Sequence, residues 1–200
     1  MTKKKKTQRN SINVQPIRTM EEIEEMKMAI KRGDKGTPKR SDLAERDVLI
    51  FLIGINTGLR VGDLIKLKVG HVRNTDDFFI IEGKSNKRRK VSIGMLKNEI
   101  NNFTKNKEDG EYLFKSQKGD NHLSTTQVYR ILESAGRFLG RDDIGTHTMR
   151  KTFGYHHYKN FKDVAILQEI FNHSSPSITK GYIGISQDEI DESLIGFRLG

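Results

Sequence analysis

The sequence predicts an α+β domain, mainly α, with one small antiparallel sheet in its first half. Three observations carry that reading. Apolar residues recur with a helical period before residue 60 and after residue 124. Two strand-like runs, DFFIIE at 77–82 and KVSI at 90–93, stand close together and flank a polar, basic stretch. The chain has 200 residues and 34% hydrophobic content, enough for one globular core, and no internal repeat.

The elements follow in order. Residues 1–15 include Lys3 to Lys6 and read as a basic flexible arm. TMEEIEEMKMAIKRG places Ile23, Met26 and Ile30 on one helical face. DKGTPKRSD is a loop by its Gly, Pro and charge content. Asp42 followed by Glu45 predicts a capping box for the apolar helix LAERDVLIFLIGINT, closed by Gly58. A short helix over roughly 61–67 follows. The strand pair is a hairpin with GKSNKRR at its tip. Ser124 and Gln127 form a second capping box, opening a helix lined by Val128, Ile131, Leu132, Ala135, Phe138 and Leu139 and ended by Gly140. Thr146 is placed as the cap of HTMRKTFGYHHYKN and Asp163 as the cap of DVAILQEIFN. Ser174 or Ser175 caps a short helix over PSITK, with Pro176 near its first position and Tyr182 just beyond it.

Composition narrows the function classes. Thirty-six Lys+Arg against 26 Asp+Glu give a net charge of +10, the balance of a chain that meets polyanions, most often nucleic acid, or of one with a solvated basic surface. Zero cysteines exclude disulfides, thiolate chemistry and cysteine-rich zinc sites. No apolar run approaches bilayer-spanning length, and the N-terminal lysines precede no apolar segment of the secretory kind. The expected location is the cytoplasm.

Four places carry candidate chemistry, each with a plainer reading. Arg60, in NTGLRVGDL, follows a buried helix and a glycine turn; it also suits a structural salt bridge with Asp63. In GTHTMR, His147 and Arg150 share one face of a helix's first turn, where free N–H groups and a guanidinium favour phosphate, although such a pair is common by chance. Lys84 sits at the base of the hairpin tip, within reach of a phosphate or leaving oxygen. Lys87, Arg88, Arg89 and Lys90 read as contacts to a nucleic-acid backbone. His173 ends one helix and Tyr182 follows the next. A free phenol titrates near 10, so Tyr182 needs cations or a base to act as a nucleophile.

In the order Arg60, Lys84, His147-x-x-Arg150, His173, Tyr182, these positions resemble the catalytic residues of the tyrosine recombinases, the phage integrase family. The resemblance covers roughly residues 16–186, that family's catalytic domain. TGLR with Asp63, GKSNKRRKVSI, HTMRKTF and NHSSPSITKGYI are similar to its motif blocks. Asn172 stands where glycine often precedes the histidine, and Gly154 where a small helix former is usual. The helical core-binding domain that usually precedes the catalytic domain is expected to be missing.

The resemblance implies a site-specific DNA recombinase that cleaves and rejoins strands through a 3′-phosphotyrosyl link on Tyr182. It implies no metal and no cofactor, because Arg60 and Arg150 hold the phosphate, Lys84 protonates the leaving oxygen, His147 exchanges the Tyr182 proton and His173 donates a hydrogen bond. The implied partner is double-stranded DNA, bound by a homo-oligomer (a tetrameric synapse in the family) that is monomeric when free, in a bacterial or phage setting. Gly181 would let the Tyr182 segment move. The tail, 187–200, has Ile190, Leu194 and Phe197 at helical spacing and packs in cis or docks on a neighbouring protomer. Competing readings are a DNA-binding regulator retaining the fold, a type IB topoisomerase-like nicking and relaxing enzyme, and a metal-dependent nuclease.

Overall fold

A computed structural model describes residues 13–33, 39–117, 119–185, 192 and 194–198. The helices among them are α1 (Met20–Arg32), α2 (Ser41–Thr57), α3 (Val61–Leu64), α4 (Val69–Val72), α5 (Lys97–Thr104), α6 (Thr125–Phe138), α7 (Thr146–Phe161), α8 (Val164–Phe171) and α9 (Pro176–Ile183). The sheet is one antiparallel hairpin of β1 (Asp77–Ile81) and β2 (Arg88–Ser92), pairing Asp77 with Ser92 and Ile81 with Arg88. The mainly helical plan with a small sheet in the first half is therefore the observed one. No described helix is long and apolar enough to cross a membrane.

Alternation in the hairpin follows from the two-residue period of a strand. Phe78 and Val91 point into the core, whereas Phe79, Ile81, Arg88 and Lys90 face outward. Arg89 shares the inner side with Val91, and this placement changes what the basic cluster can do, as described below. Val14 and Gln15, expected in the arm, are tied to the domain. The Val14 carbonyl accepts a bond from Lys151 Nζ (2.7 Å), and the Gln15 N–H donates to the Asp143 carbonyl (3.0 Å). The lysines of the arm, 3–6, lie outside the described residues.

Several caps fall where the sequence puts them, and two do not. Ser124 and Gln127 close a reciprocal box, Asp163 accepts from the Ile166 N–H (3.0 Å) and Ser175 from the Ile178 N–H (3.2 Å). Asp42 and Glu45 form no box: α2 starts two residues earlier, at Ser41, Asp42 is held by Arg40, and the Ser41 hydroxyl donates to Glu45. An arginine beside a carboxylate at an exposed helix end out-competes the backbone N–H for it. Thr146 is likewise the first helical residue rather than the cap. Gly145 occupies the cap, and its N–H donates to the Thr148 hydroxyl (3.0 Å).

The buried apolar residues form two clusters. The larger joins α1, α2, α6 and the hairpin, and includes Phe51, Ile53, Phe78, Phe114 and Met149. The smaller holds Tyr155, Tyr158, Leu167, Phe171, Ile183 and Ile185. Helix α7 contributes Met149 to the first and Tyr155 to the second, so its N-terminal half lies at their seam. Residues 105–117 and 119–123, without a sequence-level reading, add Leu113, Phe114 and Leu123 to this core; Tyr112 pairs with Lys68, and Lys115 with His122.

Gly154 explains itself in the smaller cluster. A Cβ there would sit 2.6 Å from Ile183 Cγ2 and 2.8 Å from the Phe171 ring, so α7 meets α8 and α9 more closely than alanine permits. Most of the tail lies outside the described residues. Glu192 pairs with Lys159 on α7, while Leu194, Ile195 and Phe197 are exposed.

Gly154→Ala is expected to lower stability by about 1–3 kcal/mol, the usual cost of overpacking a rigid contact. Chemical denaturation measures it. An unchanged midpoint and slope would show that the two helices separate freely.

Candidate active site

Five parts of the fold deliver the six predicted chemical residues to the seam, α7 supplying two of them. Gly58 ends α2 in a left-handed conformation, and Arg60 caps α3 immediately beyond it. Lys84 lies in the hairpin turn. His147 and Arg150 occupy the first turns of α7, which begins at Thr146. Asn172 terminates α8 at φ 52°, a left-handed geometry that asparagine tolerates better than most residues. This requirement accounts for a glycine being common there. The turn puts His173 against the pocket and aims the Phe171 carbonyl inward.

Tyr182 differs from its expected place. It sits inside α9, which runs to Ile183 and is capped by Gly184 rather than ending near residue 180. Gly181 is consequently a helical residue, and a Cβ on it would meet nothing within 4 Å.

The six residues come together. A pocket of about 220 Å³ is lined by Arg60, Lys84, Ser85, His147, Arg150, Asn172, His173 and Tyr182. An adjoining one of about 260 Å³ shares Arg60, Lys84, His147 and Arg150. The first has room for several waters, which an anionic group would displace.

Hydrogen bonds fix the cations. Arg150 is 3% exposed; it donates through Nη1 to the Gly58 carbonyl and through Nη2 to the Phe171 carbonyl (3.1 Å). Its guanidinium also covers the Phe171 ring, 4.3 Å from the centroid. Arg60 donates to the same Phe171 carbonyl (3.3 Å) and to Glu82 Oε2 (2.8 Å). The sequence-level alternative of an Arg60–Asp63 salt bridge is not what forms: Asp63 Oδ1 accepts from the Gly83 N–H instead (3.0 Å). Burial, then the charge of Arg60, pushes Arg150 down to about 10, which leaves it cationic at neutral pH.

The phenol faces a base. Tyr182 Oη lies 3.0 Å from Nδ1 of His147, and its ring meets His173 edge-on at 5.1 Å between centroids. Burial raises the Tyr182 pKa above its usual value, with Arg150 and Arg60 pulling the other way. Desolvation, then Arg150, Lys151, Arg60 and Lys84, push His147 below the usual imidazole range. His147 is therefore neutral at pH 7, with a lone pair free to receive the phenolic proton. His173 is pushed down in the same way, and its Nδ1 is engaged by the Thr179 hydroxyl (3.1 Å).

The basic cluster divides. Arg88 stacks on Phe79 at 4.0 Å, Lys90 pairs with Asp77 (2.8 Å) and Lys87 donates to Asn172 Oδ1 (2.6 Å), all at the surface. Arg89 turns inward, donates to the Thr57 carbonyl (2.6 Å) and faces Glu82 at 3.6 Å. Its position, two residues before the buried Val91 on a strand, carried that signal. Sequence reasoning passed over Glu82, a 3% exposed carboxylate beside these cations, and Thr179, which is fully buried. Burial raises the Glu82 pKa, but the Ser85 hydroxyl, Arg60 and Arg89 outweigh it and hold the group below the usual carboxylate range.

Because folding lowers the pKa of His147, His157 and His173, the fold favours their neutral forms. That contribution is complete above the unfolded value near 6.5 and is lost as pH falls through the folded values. The melting temperature should hold from pH 8 to about 7 and drop on acidification below about 6.5. A rise in melting temperature over that acid range would contradict the arrangement.

Known proteins resemble this chain in sequence and in fold. The family profile described as Phage integrase family matches residues 17–189. The chain is 47% identical over 176 residues to a Bacillus subtilis (strain 168) protein named probable integrase/recombinase YoeC, covering 88% of this chain and 92% of that one. It is 33% identical over 154 residues to the tyrosine recombinase XerA of Pyrococcus furiosus, covering 74% of this chain and 54% of the relative. The chain thus spans nearly all of the first relative and about half of the second. In fold it resembles the XerH site-specific recombinase in a post-cleavage complex with its difH substrate, with a TM-score of 0.68 and 23% identity over 92% of this chain and 53% of that one. The catalytic domain of bacteriophage HP1 integrase has a TM-score of 0.55 and 19% identity, covering 92% of this chain and 95% of that one. On these matches and this fold, the chain belongs to the phage integrase family, the tyrosine recombinases.

Proposed function

We propose that this chain is a site-specific DNA recombinase in which Tyr182 is the nucleophile, residues 16–186 being the catalytic unit. The observation that carries the reading is the Tyr182 hydroxyl, 3.0 Å from Nδ1 of His147 and in one pocket with Arg60, Lys84, Arg150 and His173. Tyr182 Oη forms a bond to a DNA phosphorus as the bond to the 5′-oxygen breaks. His147 takes the phenolic proton, and Lys84 gives one to the departing oxygen. The product is a 3′-phosphotyrosyl link and a free 5′-hydroxyl. Attack by a partner strand's 5′-hydroxyl reverses the step and joins the strands.

Two guanidiniums serve this reaction because charge accumulates on the non-bridging oxygens in the transition state. Fixed, partly desolvated donors stabilise that charge without having to reorganise. His173 donates to the phosphate through Nε2–H in the tautomer whose Nδ1 accepts the Thr179 hydroxyl hydrogen, which then leaves the Ser175 carbonyl it otherwise meets at 3.3 Å. Lys87, Arg88 and Lys90 contact the DNA backbone from the outer side of the hairpin, whereas Arg89 supports the site from within. On DNA the protein assembles as a tetramer, the 187–200 tail docking on the neighbouring protomer, and it works in the cytoplasm, where its DNA lies.

Suicide duplexes carrying candidate sites should yield a covalent protein–DNA adduct that survives denaturing electrophoresis and forms equally in EDTA. Tyr182→Phe should abolish it. An adduct formed as well by Tyr182→Phe rules out the nucleophile, and loss of cleavage in EDTA points to a metal-dependent nuclease. Relaxed circles without recombinant product from two-site plasmids would reduce the activity to nicking and relaxing.

A further inference from the structure

Among the described residues, Glu82 alone reaches Arg60 with its side chain and closes the turn carrying Lys84 with its backbone. Its Oε2 accepts from Arg60 Nη1 and from the Ser85 hydroxyl, both at 2.8 Å. Its N–H donates to the Lys87 carbonyl (3.0 Å), and its carbonyl accepts from the Asn86 N–H (2.8 Å). Residues 83–86 are thereby clasped by the backbone of Glu82, while its carboxylate holds the arginine opposite. A carboxylate 3% exposed beside a pocket suited to an anion is unfavourable unless its charge is used. Here it meets Arg60 directly, and Oε1 has no hydrogen bond although Arg89 stands 3.6 Å away.

We propose that Glu82 is a positioning residue that sets the Arg60 guanidinium and the Lys84 turn as one unit on the same phosphate. The inference rests on the recombinase reading above. Among the described residues Arg60 meets no second carboxylate to hold its plane: its other hydrogen bond goes to the Phe171 carbonyl at 3.3 Å. Lys84 sits two residues after Glu82, in a turn whose Ser85 hydroxyl is bonded to the same carboxylate oxygen as Arg60. Displacing that oxygen shifts both groups together. Glu82 also lowers the positive potential of the pocket, so it weakens the attraction of the pocket for phosphate while improving its aim.

Those two effects have opposite signs, which separates positioning from a merely structural role. Glu82→Gln keeps the shape and removes the charge. It should bind a 30-base-pair duplex at least as tightly as the unmodified protein. Its rate of adduct formation on a suicide duplex should fall by about 10²-fold, the scale of a 1 Å misplacement. Ser85→Ala, which removes one of the two bonds to Oε2, should slow adduct formation several-fold with melting temperature and duplex binding unchanged. An unmodified protein that forms no adduct with any duplex overturns the recombinase reading and this inference with it. An unmodified protein that forms adduct at the same rate as Glu82→Gln overturns this inference alone. If Glu82→Gln fails to fold, Ser85→Ala decides: a slowed reaction at normal stability supports positioning, and an unchanged rate overturns it.

Discussion

The carbonyl of Phe171 receives a hydrogen bond from Arg60 and another from Arg150, and the rest of the site is arranged around that shared acceptor. Two guanidiniums brought close together repel, and burial makes the repulsion worse. The protein answers with two fixed dipoles, the last carbonyl of α8 and the Gly58 carbonyl after α2, and with one full negative charge, the carboxylate of Glu82. A carbonyl at a helix C-terminus lies at the negative end of the helix dipole, which adds to its pull on cations. The two carbonyls hold the arginines without cancelling their charge, and Glu82 offsets only part of it. What remains is a positive pocket, already shaped, that an anion can complete.

The packing of the domain serves this convergence. Helix α7 runs from the larger apolar cluster to the smaller, so Arg150 is anchored from both sides. Gly154 lets α8 and α9 approach α7 closely, which brings Phe171, His173 and Tyr182 to the same wall. The left-handed Asn172 then turns the chain so that the Phe171 carbonyl faces the arginines and His173 faces the pocket. Lys151, beside Arg150, reaches over the Tyr182 ring at 5.2 Å and bonds the Val14 carbonyl, so the entering chain is tied to the wall that holds the phenol.

Much of this was legible in the sequence, for a physical reason. Helices α1 and α6 carry apolar stripes of period 3.6, α2 is a mostly apolar, buried run, and the hairpin alternates, so burial wrote these elements into residue order. The six chemical residues were legible because their order and spacing match a family pattern. What composition concealed was competition for partners. Asp42 was taken by Arg40 rather than by a backbone N–H, and Arg60 by Glu82 rather than Asp63. Arg89 was hidden in a run of basic residues, where only its strand parity separates it from Arg88 and Lys90. Glu82 and Thr179 looked like ordinary surface and helix residues, because their roles arise from contacts across the fold.

The central claim is that Arg60 and Arg150, locked on one carbonyl, form an anion cradle into which Tyr182 already points. Orthovanadate tests this most directly, since it adopts the five-coordinate geometry of phosphoryl transfer. A crystal structure of the protein with orthovanadate should place vanadium between the two guanidiniums, with the Tyr182 oxygen at one apical position and His173 donating to an equatorial oxygen. Vanadate bound elsewhere, or Tyr182 turned away from a vanadate held by the arginines, would contradict it.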